Sequence, residues 1–215
     1  MAWTTLEVSN CRKKGQKNQS ESYFTNILAV GGEAQEIKLL HPSQLVVYAG
    51  MTGHKKAISC LLFHPQNPTW LFSGSEDQRI ILWDIGIPDF TDYSTKHSQL
   101  LVLKCDEGIL NIVFSSSLGW LLAGTEDGCF GWKMDGAQVV GKSRRPATQF
   151  QLPQLTSNEE CVDGLVLLDD HTVACKYVEE SFIYIWNLLD YIPSQVGQSK
   201  FVSLEESTCR WGFPG

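Results

Sequence analysis

One pattern of residues recurs along the chain and constrains its fold more than any other feature. The clearest copy, GHKKAISCLLFHPQNPTWLFSGSEDQRIILWDI at residues 53–85, opens with Gly-His and closes with a Trp-Asp pair. AISCLLF and RIILW are rich in β-branched and apolar residues, HPQNP has turn composition, and SGSEDQ is typical of a tight connection between strands. The copy therefore predicts three short strands, and QLLVL at 99–103 predicts a fourth.

The same order of strands and turns occurs in three further places. Residues 109–133 and 162–187 repeat it and end close to a tryptophan, and a degenerate copy lies upstream. The equivalent positions, spaced 43, 49 and 54 residues apart, are Leu40, Trp83, Trp132 and Trp186. A repeated four-stranded unit of this length, bracketed by Gly-His and Trp-Asp, is the signature of a WD-repeat propeller blade. The sequence predicts an all-β WD40 β-propeller with four four-stranded antiparallel blades.

The predicted blades occupy most of the chain. Their bounds are about 2–50, 57–103, 109–152 and 162–204, and we predict that residues 205–215 form an irregular tail. WD propellers close by joining the first and last blades and usually have seven, whereas four are visible here. We therefore expect an incomplete open arc of a seven-bladed ring, with a closed four-bladed ring as the alternative.

Polar residues of the clearest copy stand where they can link by hydrogen bonds within one blade. A buried imidazole, carboxylate and indole N–H are costly unless they are paired. The predicted structural network consists of His54, Ser73, Ser75, Asp77 and Trp83. An acid/base role for His54 and Asp77 is the alternative, but both stand at positions that the blade requires. The third unit keeps Thr125 and Asp127 but lacks the histidine.

Composition and missing motifs exclude several classes of function. A net charge of −7 argues against a broad phosphate-binding surface, so direct DNA binding is not expected and basic partners are favoured. Seven scattered cysteines with no C-x-x-C spacing suggest neither a metal site nor a disulfide framework. Membrane-length apolar runs, phosphate loops and hydrolase motifs are lacking. We predict no catalytic residue, cofactor or small-molecule substrate.

Two polar clusters are interpreted as loops. The sequence DDH at 169–171 has the residue types of a metal site, but it falls in a predicted turn between two strands. The basic stretch CRKKGQK at 11–17 could be a nuclear-localisation or nucleic-acid patch. It continues into NQSES, however, which is typical of a solvated loop.

A partner-binding face is predicted where the inner strands begin and the second-to-third strand turns end, because these points share one face of a propeller. Carboxylates there suit a basic peptide, and aromatic rings could hold a methylated lysine by cation–π attraction. The candidate residues are Glu76, Asp106, Glu107, Glu126, Glu159, Glu160, Tyr177 and Trp3. For the two aromatic residues, a packed or partly exposed structural role is the alternative.

Several segments resemble a known family. AWTTL, NILAVGGEAQEIKLLHP, GHKKAISCLLFHP, RIILWDIGIPD and QLLVL, in that order, resemble the propeller of the leucine-rich repeat and WD repeat-containing family associated with the origin recognition complex. The resemblance extends through LLAGTEDGCFGWKMD and VDGLVLLDDHTVACK, over most of residues 2–187. A weaker similarity, to the Polycomb embryonic ectoderm development family, rests on AWT and GH…FHP in matching order.

The first resemblance implies a non-enzymatic chromatin scaffold. Such a scaffold binds repressive methylated histone tails and recruits or stabilises origin recognition complex subunits in DNA replication and heterochromatin organisation. The resemblance also implies a nuclear location on chromosomes, at heterochromatin, centromeres and telomeres, with the centrosome as a further location. Two alternatives stay open: a WD adaptor of another complex such as a ubiquitin ligase, and an incomplete fragment with no independent function.

Overall fold

The computed structural model describes residues 1–9, 22–134, 143–146, 148–150, 160–191 and 209–212. Within these residues the chain forms 16 strands and two single-turn 3-10 helices, at Pro42–Gln44 and Leu188–Asp190. The strands make four four-stranded antiparallel sheets, and in each sheet the strands follow one another in chain order.

The strand bounds are as follows. The first sheet contains β1 Ala2–Ser9, β2 Ser22–Val30, β3 Glu36–His41 and β4 Val46–Thr52. The second contains β5 Ile58–His64, β6 Asn67–Ser75, β7 Arg79–Asp84 and β8 Ser98–Lys104. The third contains β9 Ile109–Ser115, β10 Trp120–Thr125, β11 Gly128–Lys133 and β12 Thr148–Phe150. The fourth contains β13 Val162–Leu167, β14 Thr172–Tyr177, β15 Phe182–Asn187 and β16 Cys209–Gly212.

Three hydrophobic cores lie between the four sheets. One joins the first sheet to the second, one joins the second to the third, and one joins the third to the fourth. Buried and exposed residues alternate along β2 and β3 of the first sheet, whereas β7 and β10 of the second and third sheets are buried along nearly their whole length because those sheets are covered on both faces. The inner strands carry these contacts: β1 packs on β5, β5 on β9 and β9 on β13. Consecutive sheets that share cores in this order form an open arc, so the prediction of four WD-type blades arranged as an incomplete propeller is confirmed.

The predicted irregular tail is wrong at residues 209–212. This segment is β16, the outer strand of the fourth sheet, and it pairs with β15 through Ile183 opposite Trp211 and Tyr184 opposite Arg210. The sequence CRWG carries no strand pattern of its own. The segment is extended because its backbone forms hydrogen bonds with β15, which stabilise a strand of almost any composition. The end of the fourth predicted blade, at residues 192–204, lies outside the described residues.

A glycine near the end of the second strand lets each sheet approach the next. In each of the first three sheets the third strand carries the repeat position, which is Leu40, Trp83 or Trp132, and this residue pairs with a leucine of the second strand. The glycine follows that leucine by three residues. The pairs are Gly31 with Ile58, Gly74 with Ile109 and Gly124 with Val162, where a Cβ added to the glycine would lie 3.1, 2.6 and 2.9 Å from the partner side chain. The first residue of each following inner strand therefore packs on bare backbone, and we call this contact the glycine joint.

The fourth sheet departs from this rule. The position equivalent to the three glycines is Lys176, three residues after Val173, which pairs with Trp186. The Lys176 ammonium donates to the Tyr177 carbonyl at 3.0 Å and contacts the Asp163 carboxylate at 3.4 Å. A charged side chain thus occupies the position that receives an aliphatic residue in the other sheets.

The glycine joint predicts a position-specific effect of adding one methyl group. Gly124→Ala should lower the free energy of unfolding by about 1–3 kcal/mol, since the added Cβ meets the Val162 carbonyl as well as its side chain. The measurement is urea unfolding followed by circular dichroism. Gly32→Ala is the matched control, because a Cβ there has no atom within 4 Å and should change stability by less than about 0.5 kcal/mol. Equal effects of the two substitutions would contradict the joint.

Candidate functional site

The second sheet contains a continuous chain of hydrogen bonds. The indole Nε1–H of Trp83 donates to Ser73 Oγ at 2.8 Å, and Ser73 Oγ lies 2.7 Å from His54 Nε2. His54 Nδ1 lies 3.2 Å from both carboxylate oxygens of Asp77. His54, Ser73 and Trp83 are buried, and the Asp77 side chain is only 4% exposed. The structure therefore brings the predicted network residues together from two strands, β6 and β7, and two loops.

The protonation of His54 gives the chain of bonds a direction. Burial lowers the pKa of His54 below 6.5, although the Asp77 carboxylate works against this shift. The imidazole is therefore neutral at pH 7, and its Nδ1–H donates to Asp77. The Ser73 hydroxyl can then donate to Nε2 while it accepts from Trp83. Each polar hydrogen of the Trp83, Ser73 and His54 side chains then has an acceptor, which is what a buried network needs in order to be stabilising.

Asp77 also fixes the loop that leads into β5. Its carboxylate accepts from the Lys55 N–H at 2.8 Å and forms a salt bridge with Arg79. Burial alone would raise the pKa of Asp77, but hydrogen bonds from Arg79, Lys55 and His54 outweigh it and lower the pKa below 3.8. The Asp77 N–H donates to Ser75 Oγ at 3.1 Å. With its carboxylate oxygens engaged in this way, Asp77 is a structural residue here and not a base open to substrate.

The other tryptophan positions show how specific this network is. In the second sheet the acceptor for the indole is Ser73, which stands two positions after the residue paired with the tryptophan. The same position is Ala123 in the third sheet and Cys175 in the fourth. Trp186 Nε1 consequently donates to Cys175 Sγ at 3.4 Å. The buried Nε1 of Trp132 has no hydrogen-bond partner among the described residues.

Sequence reasoning also missed a contact between the third and fourth sheets. The Asp170 carboxylate accepts from the Ser116 N–H at 2.6 Å and the Ser117 N–H at 2.7 Å. The Ser117 hydroxyl lies 2.8 Å from His171 Nε2. The neighbouring Asp169 accepts from the backbone N–H of His171 at 2.8 Å, as turn chemistry predicts. The DDH cluster is thus a turn whose second aspartate binds the adjacent sheet.

Three predicted carboxylates form a row across neighbouring sheets. A Cβ added to Gly108 would lie 3.2 Å from Glu126 Oε1 and 3.5 Å from Glu76 Cα, so the acidic turns of the second and third sheets meet there. A Cβ added to Gly128 would lie 3.6 Å from Glu160 Oε2, which continues the row to the fourth sheet. We call Glu76, Glu126 and Glu160 the acidic row. Glu76 and Glu126 are exposed and Glu160 is half-buried, so the row is open to a partner.

Asp106 and Glu107 lie at the same end of the strands as the acidic row. Asp106 forms a salt bridge with Arg145, and with side chains 82% and 63% exposed this pair contributes little to stability. Glu107 is half-buried in the loop before β9. Glu159 lies outside the described residues, as does the basic stretch at 11–17.

The aromatic part of the predicted partner-binding face is wrong at Tyr177. This side chain is 2% exposed, and its ring packs edge-on against Tyr184 with 5.8 Å between centroids. Burial raises the pKa of the Tyr177 hydroxyl well above its usual value. Trp3 is 56% exposed but belongs to the first sheet, whereas Tyr177 belongs to the fourth. The structure does not bring the two rings together as a cage.

Within the part of the chain that the structure describes, no group of three or more His, Cys, Asp or Glu residues is arranged to hold a metal ion. The described part also contains no helix with the length and apolar character that crossing a membrane requires.

Comparison with known proteins shows that one family model matches almost the whole chain. The model for the WD domain of leucine-rich repeat and WD repeat-containing protein 1 matches residues 1–212. The chain is 37% identical over 193 residues to that protein from Xenopus laevis and 35% identical over 192 residues to that from Homo sapiens. Each alignment covers 87% of the chain and 26% or 28% of the relative. The chain therefore spans about a quarter of the length of the curated relatives it matches.

Solved structures share the fold at low sequence identity. A chain in the crystal structure of the Chaetomium thermophilum Polycomb repressive complex 2 has a TM-score of 0.60 at 15% identity, over 86% of this chain and 39% of that chain. A chain in the mitotic checkpoint complex has a TM-score of 0.56 at 18% identity, over 76% of this chain and 46% of that chain. These likenesses establish the architecture alone.

The network predicts that Asp77→Ala lowers the free energy of unfolding much more than Asp127→Ala, the same substitution at the equivalent turn of the third sheet. Removing this carboxylate leaves the His54 Nδ1–H and the Lys55 N–H without their acceptor and removes the salt bridge with Arg79, so we expect a loss of about 1–3 kcal/mol in the free energy of unfolding. The matched control is Asp127→Ala, where the exposed aspartate follows Thr125 in the third sheet. Urea unfolding should show a change below about 0.5 kcal/mol for the control. Similar costs at both positions would count against the network.

The network also predicts that acid weakens the fold. Burial lowers the pKa values of His54 and His64, so the unfolded chain binds protons more readily than the folded chain below about pH 6.5. Stability should be full above that pH and fall as the pH drops below it. Urea unfolding at about pH 7.5 and about pH 5.5 should show this loss, and His54→Gln should reduce the difference. His97→Gln, at an exposed position, should retain the full difference.

Proposed function

Because the chain belongs to the WD-domain family of leucine-rich repeat and WD repeat-containing proteins, we propose that it is the protein-binding part of a chromatin scaffold. The acidic row receives a Lys- and Arg-rich histone tail, and the scaffold links that tail to subunits of the origin recognition complex. It acts in the nucleus, in DNA replication and heterochromatin organisation. The support for these roles is family membership together with the charge of one propeller face.

The acidic row is the observation that carries the proposal. Glu76, Glu126 and Glu160 come from three different sheets, so an extended peptide lying across the sheets meets one carboxylate per sheet. Arg79 lies close by, but its guanidinium is engaged by Asp77 and by the Gly53 carbonyl at 2.9 Å. Complementary charge arranged in this way favours encounter with basic partners and sets their register.

The geometry also bears on how a methylated tail is recognised. Methylation of lysine keeps its positive charge, so the acidic row can attract methylated and unmodified tails alike. Tyr177 is buried and Trp3 lies in another sheet, so these two rings cannot enclose one methylammonium group. We therefore propose that charge supplies most of the affinity of this chain for repressive methylated tails.

Charge reversal in the acidic row provides the direct test. The Glu126→Lys, Glu160→Lys double variant should weaken binding of a trimethylated histone-tail peptide by about tenfold or more, because two attractive contacts become repulsive. Fluorescence anisotropy at low and high salt measures the change, and the wild-type affinity should fall with salt. Glu7→Lys, an exposed reversal in β1, is the matched control and should bind like wild type.

Two outcomes would overturn the histone proposal. One is equal peptide binding by the double variant and the Glu7→Lys control. The other is tight binding of bare duplex DNA with a steep salt dependence, which would assign the affinity to phosphate contacts. A pulldown with the wild-type chain as bait, scored for origin recognition subunits against ubiquitin ligase subunits, separates the scaffold proposal from the adaptor alternative.

A further inference from the structure

A cavity of about 460 Å³ opens at the end of the strands opposite to the acidic row. It lies between the β5–β6 turn of the second sheet and the β9–β10 turn of the third, beside the end of β11. Because successive turns of an antiparallel sheet alternate between its two ends, this cavity and the acidic row are separate surfaces. We call it the turn cavity, and its principal lining residues are His64, Trp70, Phe72, Phe114, Lys133 and Met134.

The inner wall of the turn cavity is aromatic and apolar. Phe72, Phe114 and Met134 are buried in the core between the second and third sheets. The His64 ring packs against Phe114 with 4.5 Å between centroids and edge-on against Trp70 at 5.6 Å. These contacts fix the rings in place, so the wall is preformed and can accept a large apolar side chain.

Hydrogen-bond donors surround that wall. His64 Nδ1 accepts from the Gln66 N–H at 3.1 Å and the Asn67 N–H at 3.2 Å, so the hydrogen of the neutral ring is on Nε2. Burial lowers the pKa of His64, which favours this neutral form. The Lys133 ammonium donates to the Leu118 carbonyl at 2.5 Å, which positions its charge at the rim.

The charge of the turn cavity contrasts with that of the chain. No Asp or Glu is among its described lining residues, although the whole chain carries a net charge of −7. Asp170 is bound to lining residues, but its carboxylate oxygens accept from the Ser116 and Ser117 N–H groups. A cation and an imidazole N–H beside an aromatic wall complement a ligand that combines an apolar group with an anionic acceptor.

We propose that the turn cavity is a second partner-binding site, which binds a peptide segment carrying an aromatic side chain next to a carboxylate. The aromatic side chain packs on Trp70, Phe114 and Met134, and the carboxylate accepts from Lys133 and the His64 Nε2–H. The site does not depend on the acidic row and selects partners of opposite charge. A scaffold with both sites can hold a basic and an acidic segment at once.

The methionines of the chain provide the measurement. Met134 lines the turn cavity, whereas Met51 is buried in the core of the first sheet. With ¹³C-methyl methionine labelling of the 215-residue chain, acetyl-Glu-Phe-Glu-amide should shift the Met134 methyl signal saturably and leave Met51 unchanged. Acetyl-Lys-Phe-Lys-amide and acetyl-Glu-Gly-Glu-amide should produce no saturable shift. An absent Met134 shift, or an equal shift with the lysine peptide, would overturn the proposal.

A substitution at the rim tests the charge preference. Lys133→Glu should weaken acetyl-Glu-Phe-Glu-amide binding by about tenfold and allow acetyl-Lys-Phe-Lys-amide to bind. Lys104→Glu, an exposed reversal at the other end of the strands, is the matched control and should bind like wild type. If Lys133→Glu shifts the Met51 signal, the charge reversal has disturbed the fold away from the cavity. Lys133→Met, which removes the charge and keeps the apolar stem, is then the variant to test. Wild-type binding by a folded Lys133 variant contradicts the site.

Discussion

The contact of an aliphatic side chain with the bare backbone of a glycine in the preceding sheet organises this structure. Ile58, Ile109 and Val162 each begin an inner strand and are buried where such a glycine admits them. Any larger residue would hold the sheets apart and open a gap in the core, where close packing supplies much of the stability. The glycine joint therefore limits the distance between sheets, and the close packing of the cores and the proximity of the acidic turns depend on that distance.

The second, third and fourth sheets each bury a tryptophan at the repeat position, but they do not satisfy its indole N–H in the same way. Trp83 has a fully paired polar network, Trp186 has a thiol as its acceptor, and the buried Trp132 indole N–H has no partner among the described residues. Burial of the rings is common to all three, so hydrophobic packing is the shared contribution. The polar network adds rigidity at the second sheet, where it also holds the loop before β5. That loop lies at the same end as the acidic row, so the network keeps part of the proposed binding face in place.

The sequence predicted most of the fold because its signals are local. Alternating β-branched residues, turn composition and the spacing of Trp83, Trp132 and Trp186 identify strands and repeats without knowledge of neighbours. The sequence predicts Tyr177 at the end of a second-to-third strand turn, but β14 continues through it and pairs it with Val162, which keeps its ring in the core. The turn cavity and the Asp170 contact join segments about 50 residues apart in sequence. Such neighbours are set by the packing of sheets and leave no mark on either segment alone.

Lys176 gives the fourth sheet a property that the others lack. In the first three sheets the equivalent position is a glycine in contact with an aliphatic side chain, so that contact depends mainly on shape. An element that packs on the fourth sheet in the same manner meets an ammonium already engaged with Asp163 and the Tyr177 carbonyl. Binding there would involve exchanging those contacts, so its strength would vary with ionic strength and with modification of the lysine. The arc is thus asymmetric in chemistry as well as in sequence: three sheets present a glycine to an aliphatic side chain, and the fourth presents an ammonium with its own acceptors.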